Sequence, residues 1–346
     1  MQLAHSRLAR LVVLLATLSL VVSACGNGGE GNESADGSAN GGSGTVNVSG
    51  SSTVAPISTR VAEYFEDIEP DILVNVDGPG TGDGFQLFCA GETDISDASR
   101  PIKAAEAEAC EENDVTFIEL KVAIDGLSVL VHPDNDIECL SFADMYALAG
   151  PESQGFGGWS DAADLAAELG SSTEFPDLDL SITAPGEESG TYDSFVEIVI
   201  ESIAEEREAN AETRPDYQSS ADDNVIIQGI QGATGSFGWV GYAYAVEAGD
   251  SVRQVPVSAE PGGECVAPTE ETVADNTYPI ARDLYIYVNV DKLDQNAAVE
   301  SYVDFYLTDD GLEAVSEVGY VDLAADAIEA TRQVWEARQT GTRDGG

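Results

Sequence analysis

Three short segments of the sequence combine hydroxyl side chains with glycine where a predicted strand leads into a predicted helix. They are Gly50-Ser51-Ser52-Thr53, Gly80-Thr81-Gly82-Asp83-Gly84 and Ser189-Gly190-Thr191. The first turn of a helix has backbone N–H groups without partners and carries the positive end of the helix dipole. Hydroxyls and glycines at such a turn suit an anion. N-capping alone would explain any one segment, but three in one chain favour an anion-binding site.

A fourth segment, Thr93 to Pro101, adds Ser99 and Arg100 in a loop of small residues. Arginine can give an oxyanion two parallel, charge-assisted hydrogen bonds. A surface ion pair is the alternative interpretation for Arg100. Because cations are scarce in this chain, Ser99 and Arg100 are predicted as further anion ligands.

The chain is strongly acidic. It has 346 residues with 64 acidic and 14 basic side chains, and Arg7 and Arg10 precede Cys25 without any acidic residue, so the remainder carries a net charge of −52. This charge excludes nucleic acid and anionic membrane surfaces as expected partners. The acidic residues are scattered through a chain that is 43% apolar, which indicates a folded, halophile-like surface and not an acidic disordered tail.

Residues 1–25 have the pattern of an export signal, with a basic start followed by the apolar run Leu11–Val22. This run is short for a membrane span. Val22-Ser23-Ala24-Cys25 resembles the lipobox of bacterial lipoproteins, which implies that Cys25 is lipidated and becomes the new N-terminus. The Gly/Ser/Asn-rich residues 26–44 are predicted to form a flexible tether. We therefore expect an extracytoplasmic domain that contacts the outer face of the cell membrane only through its lipid.

Four cysteines remain after Cys25, and an even number in an exported chain favours two disulfides. Metal binding is the alternative, but no pair has C-x-x-C spacing and His132 is the only histidine after the signal. Neither a metal nor a cofactor is expected. We favour the pairs Cys89–Cys110, which closes a local loop, and Cys139–Cys265, which joins distant segments. The sequence alone leaves the connectivity open.

Two long, mostly apolar segments, Val122–His132 and Leu284–Val290, are predicted as strands that cross between two lobes. Lobe 1 would comprise residues 45–125 and 280–346, and lobe 2 residues 126–279. Strand patterns and helix patterns occur in both regions.

Six segments, in order along the chain, resemble the phosphate-binding lipoproteins of the Pst ABC transporter. The resemblance implies a type II periplasmic-binding fold, with two α/β lobes, two crossing strands and the ligand in the cleft between the lobes. The segments are GSST at 50–53, GTGDGF at 80–85, DISDASRPI at 94–102, PGEESGTYDSF at 185–195, DDNVIIQGI at 222–230 and VSEVGYVDL at 315–323.

The resemblance also implies that hydroxyls and backbone amides of both lobes contact phosphate. Carried over by position, the phosphate ligands are Ser52, Thr53, Thr81, Ser99, Arg100, Ser189, Gly190 and Thr191.

Two positions depart from the best-known branch of that family. Pro185 stands where that branch has an arginine, and Ser99 stands where it has an aspartate. Arg100 is therefore assigned as the substitute cation. The acceptor for the ligand's proton stays open between three carboxylates, which are Glu188, Asp97 and Asp223.

The implied function is capture of inorganic phosphate by a monomeric lipoprotein and its delivery to the transmembrane permease subunits of an ABC transporter. The alternatives are a binding protein for sulfate, molybdate or arsenate, and a phosphate sensor or adhesion module. An enzyme is not expected. The chain lacks the G-x-S-x-G motif of a hydrolase, and His132 lies at a strand end before Pro133, which suits a structural role.

Overall fold

Strands alternate with helices through most of the chain. The computed structural model describes residues 44–187 and 189–343. The predicted signal peptide, Cys25, Glu188 and the tether up to residue 43 lie outside these residues. The strands are β1 (Gly44–Gly50), β2 (Ile72–Asp77), β3 (Ile95–Ala98), β4 (Phe117–Val131), β5 (Leu140–Ser141), β6 (Ser181–Ala184), β7 (Gln218–Ser219), β8 (Ser236–Gly241), β9 (Arg253–Gln254), β10 (Val257–Ser258) and β11 (Ala281–Asn289).

The helices pack their apolar faces against these strands. In α1, for example, Pro56 occupies the first turn while Ile57, Val61 and Phe65 form a buried stripe. The α-helices are α1 (Ala55–Glu66), α2 (Thr81–Cys89), α3 (Ala104–Glu112), α4 (Phe142–Ala149), α5 (Ala163–Glu168), α6 (Gly190–Phe195), α7 (Glu201–Glu206), α8 (Asp223–Gln231), α9 (Tyr242–Ala248), α10 (Glu270–Ala274), α11 (Val290–Gln295), α12 (Ala297–Tyr306), α13 (Asp309–Glu317) and α14 (Ala325–Glu336).

Strand β4 joins two halves of one sheet. The strand order is β2-β1-β3-β11-β4-β8-β6-β7, with β9 also paired to β4. Residues Phe117–Gly126 of β4 pair antiparallel with β11, and Leu127–Val131 pair antiparallel with β8. The chain therefore crosses from one half to the other along β4 and returns along β11.

Two large clusters of buried residues form on the two sides of this crossing. The first contains residues of β1, β2, α1, α12, α13 and α14, and we call the elements around it lobe 1. The second contains residues of α4, α5, β6, α6 and β8, and we call the elements around it lobe 2. Strands β4 and β11 contribute to both clusters.

A third segment also passes between the lobes. After α13, Tyr320 packs in the core of lobe 1, whereas Val321 and Leu323 pack against the core of lobe 2. Val321 pairs with Ile124 of β4 through two backbone hydrogen bonds of 2.9 Å. The sequence analysis predicted two crossings and did not predict this contact.

Both predicted disulfides are present in the structure. Cys89–Cys110 joins α2 to α3 across a sequence separation of 21 residues. Cys139–Cys265 links segments 126 residues apart, beside the paired strands β5 and β10. The second bond closes a long loop within lobe 2, where the loss of unfolded-state entropy favours the folded chain.

The acidic surface leads to a prediction about stability. A formal net charge of −50 makes self-repulsion a cost of the compact state, and salt screens this repulsion. We expect the thermal midpoint to rise steadily from low to molar KCl. The control is sucrose at matched osmolality, which lacks the ionic screening. Equal effects of KCl and sucrose, or a flat KCl series, would contradict the screening argument.

Candidate anion-binding site

The turn after β1 presents two of the predicted hydroxyls. Gly50 has a φ of +153°, and a Cβ there would lie 2.0 Å from the Asp97 carbonyl oxygen, so only glycine fits. Ser51 Oγ accepts hydrogen bonds from the N–H groups of Thr53 and Val54, at 3.1 and 3.3 Å. The Thr53 amide thus already has a hydrogen-bond partner. The Ser52 and Thr53 hydroxyls remain directed towards lobe 2.

The start of α2 and the loop after β3 form a second hydroxyl pair. The Oγ atoms of Thr81 and Ser99 are 2.9 Å apart, and the Ser99 N–H donates to Thr81 Oγ1 at 3.2 Å. Both side chains are buried. This pair joins two segments that the sequence analysis considered separately.

Lobe 2 contributes one continuous helical run that consists of α6, a π-helix at Val196–Ile200 and α7. Ser189 Oγ caps this run by accepting from the Thr191 N–H at 3.2 Å. The face that follows carries Asp193, Ser194 and Glu197. Because residues four positions apart lie on one side of a helix, these side chains meet lobe 1 together.

Three contacts across the cleft involve hydroxyls that were predicted as phosphate ligands. Ser52 Oγ donates to Asp193 Oδ2 at 2.5 Å, and the Thr53 and Ser194 hydroxyls are 3.2 Å apart. Ser99 Oγ donates to Glu197 Oε2 at 3.3 Å. The hydroxyl groups of lobe 1 thus converge on one helix face of lobe 2.

Arg282 lies at the base of this arrangement, on the crossing strand β11. It donates to Glu197 from Nη1 at 2.5 Å and to Ser194 from Nη2 at 3.0 Å. Its Nη2 also reaches Thr53 Oγ1 at 3.4 Å, and its Nε donates at 3.3 Å to Asp125, which is its register partner on β4. One guanidinium therefore contacts both lobes and both crossing strands.

Arg282, the hydroxyls of Ser52, Thr53, Thr81, Ser99 and Ser194, and the carboxylates of Asp125, Asp193 and Glu197 form one cluster. Burial and charge determine the ionisation of this cluster. Burial raises the pKa of Asp125, and the facing Arg282 limits that rise. Burial also lowers the pKa of Arg282, but the charges of Asp125 and Glu197 outweigh it and raise that pKa above its usual value. Burial raises the pKa of Asp193, against the hydrogen bond from Ser52. Arg282 therefore stays charged, while Asp193 is easier to protonate than an ordinary aspartate.

Tyr320 lies beside the cluster, on the third segment that passes between the lobes. It is 9% exposed, and its hydroxyl lies 3.0 Å from the position that a Cβ on Gly190 would occupy. Burial raises the pKa of Tyr320, and the nearby charges of Asp125 and Asp193 raise it further. The phenol stays neutral and is available as a hydrogen-bond donor.

The structure brings many of the predicted phosphate ligands together. The residues at or beside the cluster are Ser52, Thr53, Thr81, Ser99, Ser189, Gly190 and Thr191.

Arg100 is not among them. Its guanidinium makes two hydrogen bonds to the Glu106 carboxylate, at 2.8 and 2.7 Å, and lies 5.7 Å from the centre of the Phe85 ring. Glu106 also caps α3 by accepting from the Lys103 N–H. The predicted cation is therefore engaged at the start of α3, and Arg282 holds the position beside the hydroxyls.

Two of the candidate proton acceptors lie elsewhere. Asp97 is fully buried against α1, where it accepts from Ser58 Oγ at 2.9 Å, and burial raises its pKa to about 7. Asp223 begins α8 in lobe 2, and burial raises its pKa to about 6. Within residues 44–187 and 189–343, neither carboxylate hydrogen-bonds to the hydroxyl cluster. Asp193 and Glu197 do.

The sequence analysis missed several members of the cluster. One available signal was a charged residue inside the first predicted crossing strand and another just before the second, and a further signal was the spacing of two carboxylates by four positions after the SGT motif. The missed residues are Asp125, Asp193, Ser194, Glu197, Arg282 and Tyr320.

Buried hydroxyls, one guanidinium and carboxylate acceptors are the groups that hold a tetrahedral oxyanion. In the described part of the chain, no group of three or more Cys, His, Asp or Glu side chains is arranged to bind a metal ion. Among the same residues no helix is both long enough and apolar enough to span a membrane.

Known proteins are similar to this chain in sequence and in fold. A family model described as a PBP superfamily domain matches residues 35–310. Protein SphX of Synechococcus elongatus is 37% identical over 299 residues, or 86% of this chain and 83% of that protein. The phosphate-binding protein PstS of Staphylococcus aureus is 33% identical over 307 residues, or 88% and 84% of the two chains.

A solved structure agrees with these relatives. The crystal structure of a possible phosphate binding protein from Planctomyces limnophilus superposes with a TM-score of 0.77 at 34% identity, covering 86% of this chain and 99% of that one. The superposition confirms the predicted two-lobe periplasmic-binding fold. The chain belongs to the PBP superfamily and, within it, to the Pst substrate-binding proteins.

Proposed function

We propose that this protein captures inorganic phosphate between its lobes and delivers it to the permease subunits of an ABC transporter. The observation that carries the proposal is the convergence of hydroxyls from both lobes on one guanidinium at the crossing strands. The relatives named for phosphate binding support the same ligand. The family is one of solute-binding proteins and not of enzymes.

The site supplies donors without an excess of positive charge. Thr53, Thr81 and Ser99 are at least nine-tenths buried, so an anion that contacts them leaves water and needs a donor for nearly every oxygen lone pair. The planar guanidinium of Arg282, on strand β11, adds charge-assisted hydrogen bonds. We assign the ligand contacts to these side chains, to Ser52, and to the segment Ser189-Gly190-Thr191.

The carboxylates supply selectivity. Asp193 and Glu197 accept hydrogen bonds from the serine hydroxyls that would also donate to the ligand. Each carboxylate can in turn accept a hydrogen bond from a proton that the ligand carries. Hydrogen phosphate and hydrogen arsenate have such a proton, whereas sulfate and molybdate near neutral pH do not. A bare oxygen facing a carboxylate is repelled, so discrimination should be strong.

The remaining parts of the proposal follow from the sequence. Cys25 would carry the lipid that holds the monomer on the outer face of the membrane, and residues 26–44 would act as the tether. Residues 45–125 with 280–346 would form one rigid body during closure, and residues 126–279 the other. Membrane fractionation of a Cys25→Ser variant tests the anchor, because the variant should be released into the medium.

The binding test is a titration of the purified chain at high salt with phosphate, arsenate, sulfate and molybdate. We expect saturable heat and a raised thermal midpoint with phosphate, weaker effects with arsenate, and none with the other two anions. If the protein preferred sulfate or molybdate, that anion would be identified as the ligand in place of phosphate. Absence of binding to all four anions would refute the proposed function.

A further inference from the structure

We propose that the cleft accepts phosphate with two protons, as the singly charged H2PO4− ion, and that capture above neutral pH takes up one proton from solvent. This inference rests on the proposed function because it concerns the same cleft. It goes beyond a single proton acceptor, since it requires two carboxylates to act on one ligand.

The first observation is the placement of the two carboxylates. Asp193 accepts from Ser52 at 2.5 Å, and Glu197 accepts from Ser99 at 3.3 Å. The two acids are four residues apart and share one helix face. An anion bound to both serine hydroxyls must therefore lie against both carboxylates. Each contact is favourable only if the ligand directs an O–H group at the carboxylate.

The second observation is the balance of charge. The cluster contains one cation, Arg282, and its guanidinium is already shared between Asp125 at 3.3 Å and Glu197 at 2.5 Å. Asp193 adds a third acid. A phosphate dianion would bring two more negative charges into a region that already has more acids than bases. The monoanion brings one and offers two donors, so short-range repulsion favours it.

The third observation is a buried donor aimed at the same place. Tyr320 is 9% exposed, and its hydroxyl faces the start of the lobe 2 helix. A neutral phenol can donate to an unprotonated ligand oxygen but offers no positive charge. Arg282, Tyr320 and the serine hydroxyls together suit an ion with two bare oxygens and two O–H groups.

The groups that face the two carboxylates come from every neighbouring element. The lobe 1 loops contribute uncharged hydroxyls, whereas the crossing strands and the third crossing segment contribute titratable side chains. These titratable neighbours are Asp125, Arg282 and Tyr320. The only base among them in the described chain is Arg282, which keeps its proton throughout the range of the experiment.

The sign of the pH dependence follows from proton counting. Above neutral pH free phosphate is mainly HPO4(2−), so binding it as H2PO4− adds a proton to a ligand oxygen. The complex then holds one proton more than the free partners. Affinity is then flat at acidic pH and falls by about tenfold per pH unit in alkali.

The decisive experiment is calorimetry of the wild-type protein with inorganic phosphate, at high salt, in two buffers of different ionisation enthalpy. At about pH 8.5 we expect uptake of about one proton per phosphate, and at about pH 5.5 an uptake near zero. Affinity that does not change between these pH values, without proton uptake, would overturn the inference while leaving phosphate capture intact. Absence of phosphate binding at both pH values would instead reject the proposed function.

Variants identify the acceptors. In Glu197→Gln and Asp193→Asn the new amide can donate to a bare oxygen, so proton uptake at about pH 8.5 should fall towards zero and sulfate binding should increase by about tenfold or more. The matched control is Glu201→Gln, which removes the same charge from an exposed position of the same helical run. Equal proton uptake in all three variants would overturn the assignment. Each variant is first checked by its thermal melt.

Discussion

Replacing Arg282 with lysine is expected to weaken phosphate binding by about a hundredfold, or about 3 kcal/mol. The change keeps the positive charge and alters only the side chain at this position of β11. It removes the planar fork, which contacts Asp125, Glu197 and Ser194 in three directions at once. An ammonium group is a compact point charge and cannot maintain these contacts while also donating to an anion.

The matched control for this variant is Arg100→Lys. Arg100 is also paired with a carboxylate, but its partner is Glu106 at the start of α3, which it contacts through two nitrogens. The same chemical change there should leave phosphate affinity within about threefold of the wild type. Calorimetry of both variants, with thermal melts for stability, compares the two arginines directly. If Arg100→Lys lost binding and Arg282→Lys retained it, the ligand cation would be the arginine predicted from sequence.

The contrast between the two arginines shows what local sequence can predict. Arg100 stands beside Ser99 in a loop of small residues, and this neighbourhood led to its assignment as the cation. Its partner Glu106 is only six residues away, so the ion pair between them was also accessible from local sequence. Arg282 is distant in sequence from every hydroxyl that it contacts. Its role depends on the register of β4 and β11, which places it opposite Asp125, and no local pattern encodes that register.

Other parts of the fold were accessible because they depend on periodicity. The apolar stripe of α1 was enough to predict that helix, and the long apolar runs were enough to predict strands that cross between two lobes, whereas the α/β fold class came from the family resemblance. Counting cysteines in an exported chain favoured two disulfides, and the structure supplies the pairing that the count left open. The segment at Tyr320 was not predicted as a crossing, because its contacts with β4 and with Gly190 join parts of the chain that are far apart.

A second large effect is expected from Gly190→Ala, which should hinder closure of the lobes and weaken phosphate binding by at least about tenfold. Gly190 lies in the first turn of the lobe 2 helix. A Cβ there would be 3.0 Å from the Tyr320 hydroxyl and 3.4 Å from Thr53 Cα. Both neighbours belong to lobe 1, so the added methyl group is crowded only when the lobes are together.

The same substitution should not weaken lobe 2 itself. Alanine is a better helix former than glycine, by roughly 0.5–1 kcal/mol, so the helix that carries Asp193 and Glu197 should be at least as stable. The thermal midpoint of Gly190→Ala without phosphate is therefore expected to equal or exceed that of the wild type. A clear loss of stability would mean that the effect on binding comes from misfolding and not from hindered closure.

A double-mutant cycle with Tyr320→Phe separates steric crowding from lost hydrogen bonding. The hydroxyl is the group nearest the new methyl, at 3.0 Å, so its removal should relieve the crowding and leave the ordinary 3.4 Å contact with Thr53. Tyr320→Phe alone should weaken binding, because a buried donor is lost. Gly190→Ala should then cost less in the Tyr320→Phe background than in the wild type, with a coupling of about 1 kcal/mol measured by calorimetry. Strictly additive losses would show that the Gly190 methyl and the Tyr320 hydroxyl do not meet in the phosphate-bound state, and that the third crossing segment does not limit closure.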